Sequence, residues 1–572
     1  MQIAQIENEL RIEAQQPCPK LSWLKDSYGA GREFWQSFQD AADEMFSVKT
    51  TSALFKRYTL YNDLILRNIN NPSPAFVFYG SKSGFKNISY QELHERALVK
   101  TSLWKSRGVD DKKTVCVIRT IGAELMVELA AALQIGCRLA FLMPWGRSYL
   151  HKRLALLEPE FVSMEKKTTS LLSDAFREKI LTEAGNENNI KNEKGGYYNY
   201  VSGRPVFAAF APCTEKSPII NDINSDAVYL GALRDGLIAL GLGPGRIYTA
   251  PGFHCLETYP GLFLAGLFCG ATYLHLTPQD IKENPQIAVE RKIDVFGVSR
   301  AVRDILMEKP VNADGVWRTW FRNPAESADM DTWHHFSRRI NLLNSYSFNL
   351  RWDASAGGCN LFSIRRKGTA HAGVLPAFGS SWQLADLSDP SVESLSDLGI
   401  LSILPPGVSI DGEKKPTGDM ISIKGDEWLY LGVNYLNRDG SCYPVSEILD
   451  VLGKMIKDIY FSLVEVSQTA SPGSSLIVLL AFYGDEKDFA RERAADNIRQ
   501  VIELEMGEEF QPDKIDFLPL YPRFLENGEP DHEWCRTAYL TGQLRKKAKD
   551  EVCINITRMR KYLIKRNVLT KK

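Results

Sequence analysis

The sequence predicts an α/β protein with more than one domain, and three observations carry that expectation. Strand–helix–strand runs recur at 114–142 and 247–276, at the spacing of parallel strands covered by helices. After Ile400 the apolar residues fall into short, strand-like runs. Beyond about Tyr435 a small α+β pattern follows.

In chain order, roughly the first 50 residues are polar with aromatic spikes at Trp23, Phe34, Trp35 and Phe38, which predicts short helices. A helix starts at Tyr90 behind Ser89 as N-cap and closes at Arg107-Gly108. Thr114–Ile118 reads as a buried strand, Glu124–Ile135 as a helix stopped by Gly136, and Arg138–Leu142 as a strand stopped by Pro144. The pattern returns with a helix at Ala227–Leu240, a turn at Gly241-Leu-Gly-Pro-Gly245, a strand from Ile247 and an apolar helix at Thr258–Cys269. A strand at Ala271–Leu276, a helix at Ile287–Lys292 and a strand at Val295–Val298 complete a second, similar lobe. Between the lobes, Glu183–Lys194 has the composition of a surface loop. Strands are expected at Gly399–Leu404, Met420–Ile423 and Glu427–Leu431. The C-terminal unit reads as helices at Val445–Ile459 and Asp488–Leu504, with strands near Val464 and at Leu476–Phe482.

A length of 572 residues exceeds one typical core. With 44% hydrophobic and 24% charged residues the chain is globular, and a net charge of −1 gives no field that would steer it to nucleic acid or an anionic membrane. Met1–Lys20 lacks a basic start followed by an apolar stretch, so no secretory signal is expected. The best apolar run, Gly261–Leu276, is too short and too Gly-broken to span a bilayer. The ten cysteines form no C-x-x-C pair and none lies near a His at zinc-finger spacing, which suits reduced core thiols in a cytoplasmic protein. The tail, 545–572, carries eleven Lys/Arg against two acids, with Val552, Ile556, Met559 and Leu563 on one helical face. Such a tail docks on its own domain or meets an acidic partner.

Several segments, in order, resemble the adenylate-forming ligases (acyl-CoA synthetases, peptide-synthetase adenylation domains, luciferases). They are Ile88-Ser-Tyr-Gln-Glu-Leu-His-Glu-Arg-Ala97, Glu124–Gly136, Arg153-Leu through Val162, Gly241–His254, Gly266 to Thr272, and Thr417-Gly-Asp419. The resemblance spans about Tyr58 to Leu540. It implies a large N-terminal domain (1–432) of two helix-covered mixed sheets plus a small β-rich lobe. A small mobile α+β C-terminal domain (433–543) would follow, and then the basic helical tail (544–572). It also implies chemistry in two steps: a carboxylate attacks the α-phosphate of Mg·ATP, and a thiol on CoA or a carrier protein then takes the acyl group.

The motifs that would serve this chemistry are altered. The phosphate loop should be rich in Gly, Ser and Thr so that backbone N–H groups wrap the pyrophosphate. Here it reads Phe210-Ala-Pro-Cys-Thr-Glu-Lys-Ser-Pro-Ile-Ile220. Thr214 fits and Lys216 is a displaced cation, but no Gly remains, Pro212 removes a donor and Glu215 brings a negative charge. The motif Tyr-Gly-x-Thr-Glu becomes Tyr346-Ser-Phe-Asn-Leu350. Tyr346 can face an adenine and Asn349 can stand for the Thr, but Leu350 replaces the Mg²⁺ ligand, and Mg²⁺ demands oxygen. Asp419 keeps the ribose position, whereas Gly432-Val-Asn-Tyr435 has lost the Arg and Asp that should follow. Glu529, in Glu526-Asn-Gly-Glu-Pro530, takes the place of the catalytic Lys and reverses its charge.

By the same resemblance Phe253, His254 and Gly297 line the acid pocket, although His254 reads equally as a core histidine. No metal site is expected: His334 and His335 are neighbours that face apart on a helix. Three readings stay open. One is an impaired homologue that binds a carrier protein, a biosynthetic enzyme or a small carboxylic acid. Another is a divergent ligase using ATP and Mg²⁺ through Lys216, Arg234, Asp419 or a tail Lys. The third reuses the fold for acyl chemistry without ATP.

Overall fold

The computed structural model describes residues 8, 10–12, 31–46, 48–81, 83–181, 196–211, 218–253, 260–326, 330–353, 356–408, 412–425, 427–438, 440–467, 475–484 and 490–544. The expected loop at Glu183–Lys194 and the basic tail from Arg545 lie outside them. Two compact units form: Met1–Pro144, Arg153–Pro212 and Pro218–Ser441 make the first, and Trp145–Lys152, Cys213–Ser217 and Cys442–Lys572 the second.

The first unit holds a five-stranded sheet ordered Ile219–Asn224, Pro205–Ala211, Arg138–Leu142, Thr114–Ile118, Phe161–Met164. Its last four strands run parallel. The helix Ala123–Ile135 crosses between two of them and ends on Gly136, whose φ of 88° supplies the left-handed C-cap. Leu125 to Ile135 is buried throughout, and the two polar residues in that stretch are satisfied: Glu128 by Arg119 and Ser163, Gln134 by Thr101. The helix Tyr90–Ser106 starts as expected, with the Ser89 side chain accepting from the Glu92 amide. Near the N-terminus one described helix, Arg32–Met45, buries Trp35, Phe38 and Ala42.

The second sheet has eleven strands. Its parallel core is ordered Tyr346–Asp353, Trp317–Arg322, Ile293–Gly297, Ile247–Thr249, Thr272–His275, Phe76–Gly80. The helix expected at Ile287–Lys292 is only the 3-10 turn Pro285–Ala288, since the next strand already begins at Ile293. Tyr346–Asp353 turns through Gly357 (φ 59°) and Gly358 (φ 154°) into the antiparallel strand Gly358–Phe362. A four-stranded antiparallel sheet forms the β-rich lobe: Trp382–Ala385, Leu398–Ile403, Lys415–Lys424 and Glu427–Val433. Leu361, Val374, Leu384, Leu401, Ile421 and Trp428 pack its core. The unit runs past the boundary expected at residue 432 to Ser441, because Tyr435 and Gly440 bond Arg351.

The second unit is α+β. Tyr460–Ser467, Ser475–Phe482 and Lys514–Leu518 make a three-stranded sheet. Among its helices are Val445–Met455, Arg491–Glu505 and His532–Leu540. The first of these stops short of the expected Ile459 because the chain extends at Ile456 ahead of the strand from Tyr460.

Candidate functional site

In open parallel sheets, ligands meet the carboxyl ends of the strands. On the large sheet that rim is formed by Thr249, Gly297, Arg322 and the second half of Tyr346–Asp353, since Arg322 pairs in register with Asn349. Tyr346 opens its strand at the other end, level with Thr319, and the Arg11 guanidinium lies 5.7 Å from its ring centre. Asn349 is buried and its amide is spent inside the protein. Its Nδ2 donates to the carbonyls of His371 at 2.9 Å and Gly373 at 2.7 Å. Leu350 is a buried member of the main hydrophobic core.

Asp419 lies on Lys415–Lys424, fully buried. Its Oδ2 accepts from Asn360 Nδ2 at 2.6 Å and its Oδ1 from the Tyr430 hydroxyl at 2.7 Å. Arg351 Nε is 2.5 Å from Oδ1, a charge contact without linear alignment. The same guanidinium donates to the Gly440 carbonyl at 2.9 Å and to the Tyr435 hydroxyl. Tyr435 in turn packs on Gly418, where its ring leaves no room for a Cβ and the φ of 81° also favours glycine. Burial opposes the charge on Arg351, yet Asp419, helped by Tyr435, Tyr430 and Asp353, outweighs it and holds the group well above its usual range. Burial, and then the Asp419 charge, push the Tyr430 phenol well above its ordinary value.

Arg351, Asn360, Tyr430 and Tyr435 belong to no motif that marks them as partners of Asp419 in the sequence. One signal was available: a lone Arg in the apolar run Phe348-Asn-Leu-Arg-Trp352 must find a buried partner. Arg234, considered as a substitute for the lost cations, is buried and committed to Asp235, Ser380 and the Cys359 carbonyl.

Phe253, Gly297 and the strand Tyr346–Asp353, expected around the acid, meet at the Phe321 ring, and Phe321 is the cross-strand partner of Gly297. A Cβ on Gly297 would lie 2.6 Å from Phe321 Cζ and 3.0 Å from the Ala250 methyl. The Phe321 ring packs 5.3 Å from Phe253, 5.5 Å from Phe348 and 6.1 Å from Trp352. These rings meet edge-on or tilted, the arrangement that their quadrupoles favour. His254, Thr214 and Lys216 lie outside the described residues. In the second unit Glu529 is exposed in a tight turn, where its Oε2 accepts from Asn527 Nδ2 at 3.0 Å. Among the described residues no group of three or more His, Cys, Asp or Glu is placed to hold a metal.

Solved structures share this fold. NpsA-ThdA, an artificially fused adenylation–PCP di-domain NRPS from Klebsiella oxytoca, matches with a TM-score of 0.63 at 12% identity, over 81% of this chain and 94% of that one. A double mutant of o-succinylbenzoate CoA synthetase (MenE) from Bacillus subtilis, bound with its product analogue, gives 0.62 at 12%, over 82% and 98%. The amide bond synthetase McbA from Marinactinospora thermotolerans gives 0.64 at 14%, over 83% and 99%. No family model matches the sequence, and no curated protein matches it. The likeness is one of fold: an α/β unit followed by a smaller α+β unit, as in these three structures. No helix among the described residues is long and apolar enough to cross a membrane.

Proposed function

We propose that this protein has given up adenylation and works as a binding or partner protein in acyl or aminoacyl biosynthesis, in the cytoplasm. One observation carries the reading: Asp419, the residue the resemblance assigns to a ribose, already holds Arg351, Asn360 and Tyr430. A nucleotide hydroxyl would have to take Asp419 from a buried guanidinium and leave that charge without its carboxylate, which costs several kcal/mol. The donor set does not fit Mg·ATP, because Leu350 offers no oxygen where the metal ligand belongs and Glu529 would repel an α-phosphate. The Phe321 ring, packed against Gly297 and Phe253 where the acid is expected, supports the same reading. A carrier protein is the partner we favour, since one structural neighbour is an adenylation domain fused to a PCP.

The test is calorimetric titration of Mg·ATP into the full chain, with pyrophosphate exchange over a panel of fatty, aryl and amino acids. A working adenylating enzyme serves as control. No heat at millimolar ATP and no exchange are expected. Saturable binding with acid-dependent exchange would overturn the reading in favour of a rebuilt ligase.

A further inference from the structure

The β-rich lobe carries a segment that the proposed function does not use. Residues 386–397 join the strands Trp382–Ala385 and Leu398–Ile403. Three serines and an acid stand there in strict three-residue register: Ser388, Ser391, Ser394 and Asp397. Asp386, Asp389 and Glu393 are interleaved with them, and no Lys or Arg occurs between Lys367 and Lys414. Ser388, Ser391 and Asp397 are exposed, and Ser394 is half-buried. Leu395, beside it, is fully exposed, so the apex of the segment is open to another protein.

We propose that Ser394, Ser391 and Ser388 are successive phosphoacceptors for an acidophilic serine kinase, primed by Asp397. A kinase of this class reads an anion three residues beyond the acceptor, about 10 Å away on an extended chain. Asp397 supplies that anion for Ser394. A phosphate on Ser394 then supplies it for Ser391, and one on Ser391 for Ser388. In each step the serine oxygen bonds to the γ-phosphorus of ATP, the bond from that phosphorus to the bridging oxygen breaks, ADP leaves, and the hydroxyl proton passes to the kinase base. The composition matters, because a Lys or Arg within the segment would compete with the kinase's own basic site.

The segment is held in a way that the modification reverses. Ser388 Oγ donates to Asp386 Oδ1 at 2.5 Å, and Ser391 Oγ to Asp389 Oδ1 at 2.6 Å. Ser394 Oγ donates to the Leu398 carbonyl at 2.7 Å. Each phosphate brings about −1.5 to −2 charges and removes the donor, so both Asp–Ser turns become repulsive. The change reaches the sheet that carries Asp419, since Gly399 and Ile400 pair with Ile421 and Met420. The ladder thus places a switchable anionic patch on the β-rich lobe, whether or not the chain binds ATP itself.

The test treats the full chain with Mg·ATP and a purified acidophilic serine kinase, then reads intact mass and site-resolved phosphopeptides over time. Up to three phosphates are expected on the segment, in the order Ser394, Ser391, Ser388. Asp397→Asn and Ser394→Ala should each lose all three, Ser391→Ala should keep only the Ser394 phosphate, and Ser394→Asp should restore the other two. Ser396→Ala, with Gly399 at its third following position, should behave as wild type. Unchanged thermal midpoints check that the variants are folded. No incorporation into the segment, labelling centred on Ser396, or full labelling of Ser391 in Ser394→Ala would overturn the proposal.

Discussion

Two buried Arg–Asp pairs in the first unit look alike and are built differently. Arg234 and Asp235 are chain neighbours, and nearly every other bond they make goes to fixed main-chain groups. Arg234 reaches the Cys359 carbonyl at 2.8 Å, and Asp235 Oδ2 takes the Cys359 amide at 2.7 Å. This pair fastens the helix Ser225–Arg234 to the strand Gly358–Phe362. Arg351 and Asp419 are joined mostly by the ends of long side chains, Asn360, Tyr430 and Tyr435. Their closest contact is not aligned, and Asn360 Oδ1 is left without a partner. The first pair belongs to the architecture. The second is held by side chains that four separate strands and loops bring together.

Breaking each pair separates these descriptions. Asp235→Ala leaves a buried guanidinium and the Cys359 amide unpaired, and should cost about 3–5 kcal/mol. Urea midpoints of the first unit would read it, and the double variant Arg234→Met with Asp235→Ala should recover little. Arg351→Met should cost less, about 2 kcal/mol, because Asn360 and Tyr430 still satisfy Asp419. Adding Asp419→Asn should bring stability back to within about 1 kcal/mol of wild type, since both charges are then gone. An Arg351→Met, Asp419→Asn variant as damaged as the Asp235 variant would mean that both pairs are architectural.

Acid gives a graded version of the same contrast. His371 accepts, through its carbonyl, from Asn349 on the Arg351 strand. Burial, and then Arg366, depress its imidazole from 6.5 to about 3, and burial depresses His275 to about 4. With folded values below the unfolded one, their stabilisation is complete above pH 6.5 and is lost as pH falls through that window. Each histidine should contribute a loss of about 1.4 kcal/mol per pH unit there. Hydrogen exchange at stepped pH should show strand Tyr346–Asp353 loosening ahead of helix Ser225–Arg234. The smallest effect is Tyr430→Phe, at about 1 kcal/mol for one lost hydrogen bond, seen as a small shift in thermal midpoint.

Much of this architecture was legible in the sequence. Thr114–Ile118 and Arg138–Leu142 were read to the residue, because β-branched and apolar runs there are bounded by lysines, Gly and Pro. The helix between them announced its end with Gly136. The site was less legible for a physical reason. Tyr346 and Asn349 were read, by resemblance, as nucleotide contacts; Tyr346 opens its strand, and the Asn349 amide is bonded to the His371 and Gly373 carbonyls. The partner of Asp419 comes from residue 351 and its other contacts from 360 and 430, and pairings over such separations leave no local pattern. Only the demand that a buried Arg be neutralised pointed toward it.

The sheet order has a consequence for synthesis. The five-stranded sheet draws all its strands from 114–224, so it can assemble on the ribosome as soon as that stretch has emerged. Phe76–Gly80 is made earlier but must wait for Thr272–His275, its parallel neighbour in the larger sheet. Until then, among the described residues, it pairs with the strand Gly84–Ile88 alone, and one edge of a Phe-Val-Phe-Tyr segment stands open. Nascent chains stalled before residue 276 should therefore be strong clients of holdase chaperones, and chains stalled after it weak ones.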